Sequence, residues 1–104
     1  MIAAPIELPE PSQASLRAAR ALQRRATRKE TGKFLVEGRQ AVREALASPG
    51  VVEEVYFRWD AVIANTDLLD AAKASGVPYY AVSEQNLATI TDTVTPQGVV
   101  AVAH

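Results

Sequence analysis

The chain has 104 residues, of which 48% are hydrophobic and 22% charged, so it can form one globular domain with a single core and leaves no room for a second, catalytic domain. It contains no cysteine, which excludes disulfides and thiolate metal sites, and it shows neither a signal-peptide pattern nor a membrane span. These properties predict a cytoplasmic protein with no membrane partner.

Charge is distributed unevenly along the chain. The formal net charge is −1, yet nine of the eleven Lys and Arg residues lie between Arg17 and Arg43. That segment holds only two acidic residues, Glu30 and Glu37, so its own net charge is +7. A basic pole on a nearly neutral protein attracts polyanions, and RNA or DNA is the first partner to consider.

The N-terminal third predicts a flexible extension followed by a cationic helix. Residues 1–11 contain three of the six prolines and no helical or strand period, so the predicted domain spans residues 12–104. Ser12 is a candidate N-cap for a helix from Gln13 to about Ala26. On that helix the arginines recur at steps of three and four, which predicts one cationic face formed by Arg17, Arg20, Arg24 and Arg28.

The rest of the chain predicts strands alternating with helices. A polar connection containing Gly32 is expected over Thr27–Lys33 and a buried strand over 34–38, followed by a helix from Arg39 to Ala47. Further strands are predicted at 52–58, 77–82 and 98–103, with a helix from Asn65 or Thr66 to about Ser75 and a short one capped by Ser83. This order predicts an α/β fold whose largely parallel or mixed sheet is covered on both faces.

Catalytic groups are scarce. The only histidine is His104, there is no glycine-rich phosphate loop, and no pair of residues could hold zinc, so we predict no catalytic, cofactor or metal residue. Glu37 follows an apolar run that could raise its pKa and make it a base, but a local pairing role is the simpler interpretation. The hypothesis that the chain is a small stand-alone enzyme therefore depends on Glu37 alone.

The cationic residues have two interpretations. Arg and Lys are good helix formers, and a solvated charged face is their commonest role. Residues 13–29 contain no acid, however, and like charges at four-residue spacing destabilise a helix, which favours contact with phosphates. Exposed aromatics could add base stacking, although core or rim packing is the simpler expectation for Trp59, Tyr79 and Tyr80; alternation predicts that one of the two tyrosines is buried and the other exposed.

Two motifs resemble the N-terminal substrate-binding domain of the SpoU (TrmH) family of RNA 2′-O-ribose methyltransferases. The first, residues 24–38, reads RRATRKETGKFLVEG and is similar to the family's basic segment and Gly-x-Phe-x-Val-Glu-Gly signature. The second, residues 95–102, reads TPQGVVAV and is similar to its domain-ending Pro-Gln-Gly-Val motif. With Val82-Ser83-Glu84 between them, the resemblance covers residues 16–102.

The resemblance implies a three-layer α/β/α sandwich with a small mixed sheet, as in ribosomal proteins that bind kinked RNA. It also implies an RNA-docking domain, for ribosomal more than transfer RNA, whose C-terminal knotted methyltransferase domain, absent here, binds S-adenosylmethionine. The fragment alone is then expected to be inactive and monomeric, and the full-length enzyme a homodimer. In this interpretation Gly38 allows the strand-to-helix junction, Glu37 fixes it, and Gln97 and Gly98 position the last strand. The residues assigned to RNA contact are Arg17, Arg20, Arg24, Arg25, Arg28, Lys29, Lys33 and Arg39.

One alternative of another class stays open. The same basic face could bind an acidic protein surface, which would make the chain a protein-interaction or ribosome-assembly module. Loss of RNA retention on mutating the cations would separate the two hypotheses.

Overall fold

The computed structural model describes residues 7–91 and 97–104. Five helices and four strands follow one another in this part of the chain: α1 (Gln13–Ala21), α2 (Arg25–Thr31), β1 (Phe34–Glu37), α3 (Arg39–Leu46), β2 (Val52–Arg58), α4 (Thr66–Ala74), β3 (Tyr79–Val82), α5 (Glu84–Ile90) and β4 (Val99–Ala103). Two 3₁₀ turns, Trp59–Ala61 and Ile63–Asn65, join β2 to α4. The α/β order predicted from periodicity is confirmed, and α2 is the element that it missed.

The four strands form one mixed sheet in the order β1-β4-β2-β3. Only β2 and β3, joined through α4, run parallel; β4 lies antiparallel to both β1 and β2. Because β1 lies at the edge, Phe34 stays 43% exposed, so the buried strand expected at 34–38 is wrong. One of the two interior strands is β4, whose five residues are all buried, as its run of valines and alanines favours.

Helices cover the sheet on both faces, which confirms the three-layer sandwich. On one face α3 and α4 pack against Val55 and Phe57 of β2, and on the other α1 and α5 pack against Tyr56. Residues 55–57 are all fully buried because β2 is covered on both sides. Tyr79 packs on the first face and Tyr80 on the second, both partly buried, so the expectation of one buried and one exposed tyrosine is wrong.

Helix starts follow their caps. Ser12 Oγ accepts a hydrogen bond from the amide of Ser15, and Ser83 Oγ accepts one from the amide of Asn86, as predicted for both positions.

The start of the chain was predicted to be an extension over 1–11, of which residues 1–6 lie outside the described residues. Within the remainder, Leu8 packs against the α3/α4 side of the core and the carbonyl of Pro9 accepts a hydrogen bond from the amide of Ala81 (2.9 Å). The domain boundary at residue 12 stays a prediction.

A carboxylate lies against the core beneath α1. The hydroxyl of Tyr56 donates to Oε1 of Glu54 (2.8 Å), and burial raises the pKa of Glu54 despite that bond. Because its folded pKa lies above the unfolded value near 4.5, the folded state retains this proton to higher pH than the unfolded state. The contribution of Glu54 to stability is therefore greatest below that value and declines as pH rises through the folded pKa.

We expect Glu54→Gln to remove this decline. The free energy of unfolding, measured with urea from about pH 4 to about pH 7, should then fall less with pH in the variant than in the wild type. Glu44→Gln on the exposed face of α3 is the matched control and should keep the wild-type pH slope. An unchanged slope in Glu54→Gln would contradict the assignment.

Candidate nucleic-acid interface

The helix predicted to run to Ala26 ends at Ala21, and a second helix, α2, replaces the connection expected over Thr27–Lys33. Between the two helices, the amides of Leu22, Gln23 and Arg24 each donate to the carbonyl three residues earlier, a tightening typical of a helix end. Helix α2 has no buried residue and ends at Gly32, whose φ of 71° is the left-handed conformation of a C-terminal cap.

Arg28 accounts for the interruption between α1 and α2. Its Nη1 donates to the carbonyl oxygens of Leu22 (2.9 Å) and Gln23 (2.8 Å), which the end of α1 leaves without helical partners. The predicted face that combines Arg28 with Arg17, Arg20 and Arg24 is therefore wrong, because the chain turns between the two helices. Arg28 therefore holds the junction between α1 and α2, and its contact with RNA stays a prediction.

Replacing Arg28 with Met keeps helix propensity but removes both bonds. We expect the free energy of unfolding to fall by about 1.5–3 kcal/mol, the range for hydrogen bonds made by a charged group. The control Lys29→Met, on the exposed side of the same helix, should stay within about 0.5 kcal/mol of wild type. Equal stabilities for the two variants in urea unfolding would show that Arg28 does not hold the junction.

Other predicted RNA-contact residues also have protein partners. Nε of Arg20 donates to the hydroxyl of Thr89 on α5 (2.8 Å). Nζ of Lys33 lies 3.0 Å from Oε2 of Glu53, whose other oxygen is 3.1 Å from Nδ1 of His104. These cations hold α1 and the start of β1 to the rest of the domain.

Four of the predicted cations are different. In the part of the chain that the structure describes, the side chains of Arg17, Arg24, Arg25 and Lys29 are exposed and form no hydrogen bond or ion pair. Arg25 and Lys29 are four residues apart on α2 and so share one face, where like charges repel by about 0.2–0.5 kcal/mol. We call these four residues the α1–α2 basic surface; an anion bound there would relieve the repulsion.

A second cationic site lies at the start of α3. Gly38 joins β1 to α3 with a φ of 93°, which confirms its predicted role at this junction, and a Cβ at this position would lie 3.4 Å from Oε1 of Gln97. Arg39 and Arg43 both bond to Asp67 of α4, and they hold its pKa well below its usual range. An open cleft of about 670 Å³ borders this cluster, lined by residues including Glu37, Gly38, Arg39, Gln40 and Gln97.

Asn65 links the Pro-Gln-Gly-Val motif to the start of α3, although it belongs to neither motif. Its side chain is 2% exposed; Nδ2 donates to the carbonyls of Ala61 (2.8 Å) and Gln97 (3.0 Å), and Oδ1 accepts from Arg39 (3.1 Å). The sequence suggested Asn65 only as a cap of α4. Asn65, Asp67 and Arg43 were missed as site residues because contacts across 24 to 32 residues leave no local pattern.

Two further sequence expectations have an outcome here. Trp59 is 63% exposed, so the core or rim packing expected for it is wrong, because the 3₁₀ turn that follows β2 directs Ala61 and Val62 into the core instead. Glu37 is exposed at the rim of the cleft and makes an interaction with the protein, so it is not an isolated buried base. Thr95 and Pro96 of the second motif lie outside the described residues.

Comparison with known proteins decides the family. The model of the MRM3-like substrate binding domain matches residues 13–101. The chain belongs to this family. A relative of this substrate-binding domain is the 23S rRNA (guanosine(2553)-2′-O)-methyltransferase RlmP of Bacillus subtilis (strain 168), 39% identical over 77 residues, which are 74% of this chain and 29% of that protein.

Solved structures agree with the family assignment. An rRNA methyltransferase from Sinorhizobium meliloti superposes on 89% of this substrate-binding domain and 34% of its own chain, with a TM-score of 0.71 and 25% identity. The AdoMet-bound rRNA methyltransferase from the same organism covers 95% of this chain and 36% of its own at 24% identity, with a TM-score of 0.71, which supports the fold. The domain thus spans about a third of the length of these relatives.

Other kinds of site find no support in residues 7–91 and 97–104. No cluster of three or more His, Asp or Glu side chains there could hold a metal ion. No helix among the same residues is long and apolar enough to cross a membrane. Within this substrate-binding domain, the α1–α2 basic surface and the Arg39 cluster are the chemical features that stand out.

Proposed function

We propose that this chain is the RNA-recognition domain of an S-adenosylmethionine-dependent ribosomal RNA 2′-O-ribose methyltransferase, whose catalytic domain is a separate, C-terminal unit. The observation that carries the proposal is the α1–α2 basic surface: four exposed cations with no partner among the described residues. Unpaired cations on adjacent helices suit the phosphate backbone, which supplies most of the affinity for RNA.

The predicted RNA-contact residues fall into two groups, those that contact RNA and those that hold the structure together. Arg17, Arg24, Arg25 and Lys29 contact phosphates directly, with Arg39 at a second point. Arg20, Arg28 and Lys33 instead fix the elements that carry them, through Thr89, the end of α1 and Glu53 respectively. RNA bound by charge in this way is selected by its shape rather than by base sequence.

Binding assays with different RNAs test this function. Fluorescence anisotropy at low salt should show the chain binding structured fragments of 23S rRNA more tightly than transfer RNA. The names of the RlmP relative and of the Sinorhizobium meliloti rRNA methyltransferase support ribosomal RNA as the target. Equal binding to both RNAs would contradict ribosomal specificity, and no binding to either would favour the protein-interaction alternative.

The full-length enzyme is proposed to be a cytoplasmic homodimer in which S-adenosylmethionine binds to the catalytic domain. The chain described here contributes docking alone, as a monomer. Addition of S-adenosylmethionine to this chain and 23S rRNA should give no methyl transfer, and turnover by the isolated chain would overturn the assignment of catalysis to another domain.

A further inference from the structure

The guanidinium of Arg39 is held at a fixed orientation by α4 and the turn before it. Nη1 donates to Oδ1 of Asp67 (2.7 Å) and to Oδ1 of Asn65 (3.1 Å), and Nη2 donates to Oδ2 of Asp67 (2.6 Å). A guanidinium carries five N–H donors in one rigid plane. Three of the five are therefore occupied, and Nη1 has no donor left.

The two remaining donors lie on one edge. They are the N–H of Nε and the outer N–H of Nη2, which point the same way in the plane of the group. Neither has a partner among residues 7–91 and 97–104. Two parallel N–H groups of arginine match two oxygens of a phosphate and bind them bidentately.

The neighbours of Arg39 are themselves fixed. Asn65 is buried and anchored by two backbone carbonyls, so its Oδ1 has one orientation. Asp67 receives a third hydrogen bond from Nη2 of Arg43 (2.7 Å). The Arg39 side chain is still 34% exposed and borders the 670 Å³ cleft, so a ligand can reach it without first having to order it.

We propose that Arg39 is a preoriented phosphate-binding fork, which takes one backbone phosphate of the RNA through Nε and Nη2. Asn65 and Asp67 are its positioning residues. This inference rests on the proposed function, because it takes RNA as the ligand. It adds a specific bidentate contact at Arg39, which lies outside the α1–α2 basic surface.

Arg39→Lys tests the fork, since it keeps the charge and loses the paired donors. Affinity for a 23S rRNA fragment should fall about tenfold, the loss of one charge-assisted hydrogen bond. The slope of log affinity against log salt should stay unchanged, because one phosphate is still neutralised. Lys73→Arg is the control, a charge-preserving exchange on α4 outside both cationic sites, and it should stay within about twofold of wild type because the net charge is unchanged.

Asp67→Asn tests whether Asp67 orients Arg39, because the two hypotheses predict opposite changes in RNA affinity. The substitution removes a negative charge beside two arginines, so RNA affinity rises if Arg39 acts only as a charge. If orientation matters, affinity falls by about threefold or more despite the added net charge. Asp67→Glu keeps the charge while moving the carboxylate, and it should lower affinity as well; thermal melting establishes that each variant is folded.

The outcomes separate this inference from the proposed function. Wild-type affinity in Arg39→Lys, or tighter binding by Asp67→Asn, would overturn the fork while RNA binding by the basic surface still stands. If the loss in Arg39→Lys disappears on RNA containing 7-deazaguanine, the fork contacts a guanine edge and the phosphate assignment is wrong. Two results together would support both the proposed function and the Arg39 fork. Neutral substitutions on the α1–α2 basic surface would abolish RNA binding, and Arg39→Lys would weaken it about tenfold.

Discussion

RNA affinity should collapse when the α1–α2 basic surface is neutralised. A variant with Gln at positions 17, 24, 25 and 29 loses four phosphate contacts. Each contact contributes roughly 0.7–0.9 to the slope of log affinity against log salt, so the magnitude of the slope should decrease by about 3. Counterion release alone then predicts a loss on the order of a thousandfold at ~0.1 M salt and little difference at ~1 M. Binding to a 23S rRNA fragment across a salt series measures both quantities.

A matched pair of single substitutions controls for the change in net charge. Lys29→Gln removes an exposed lysine from the basic surface, whereas Lys73→Gln removes one from α4, where Nζ lies 5.7 Å from the ring centre of Tyr79. Only the first should reduce the salt slope. Equal slopes for these two variants, or a wild-type slope in the fourfold variant, would show that the basic surface does not contact phosphates. Because none of the four side chains has a partner among the described residues, the variants should fold normally.

Gly98→Ala should produce the largest loss of stability among single backbone substitutions. Gly98 is buried with a φ of 64°, and a Cβ there would lie 2.6 Å from Cβ of Ala61 and 3.2 Å from Cβ of Arg58. We expect a cost of about 2–5 kcal/mol, from the left-handed conformation together with overpacking. Such a cost is a large part of the roughly 5–15 kcal/mol that stabilise a typical domain.

Gly50→Ala isolates the contribution of the close contact. Gly50 has a similar φ of 77°, but nothing lies within 4 Å of the position its Cβ would occupy. It should cost only about 1–2 kcal/mol. Urea unfolding of both variants gives the difference directly, and equal losses would mean that β4 can shift away from the 3₁₀ turn without cost.

The sequence predicted most of the elements because their signals are local. The caps Ser12 and Ser83, the run of β-branched residues in β4 and the apolar residues of β2 each specify structure within a few residues. Helix α2 was missed because its start depends on Arg28 reaching back to Leu22 and Gln23. No periodicity reveals such a contact, and continuous helix formers over 13–26 favoured a single helix.

The candidate site was predictable only in composition. An excess of cations without acids identified the segment that holds the basic surface, but nothing in the spacing separated Arg17 and Lys29 from Lys33, whose partner Glu53 lies on another strand. The same is true of Arg39, whose orientation depends on Asn65 and Asp67. Which cations are available to RNA is decided by tertiary contacts that bring distant acids and amides beside them.

An NMR titration of the chain with a 23S rRNA hairpin tests the central claim most directly. We predict that amide and side-chain signals of Arg17, Arg24, Arg25 and Lys29 shift on binding, with a second set at Arg39 and Gly38. The signal of Lys73, in the last turn of α4, should stay in place. Shifts confined to α4 and the Trp59 turn, with the α1–α2 basic surface unchanged, would contradict the account.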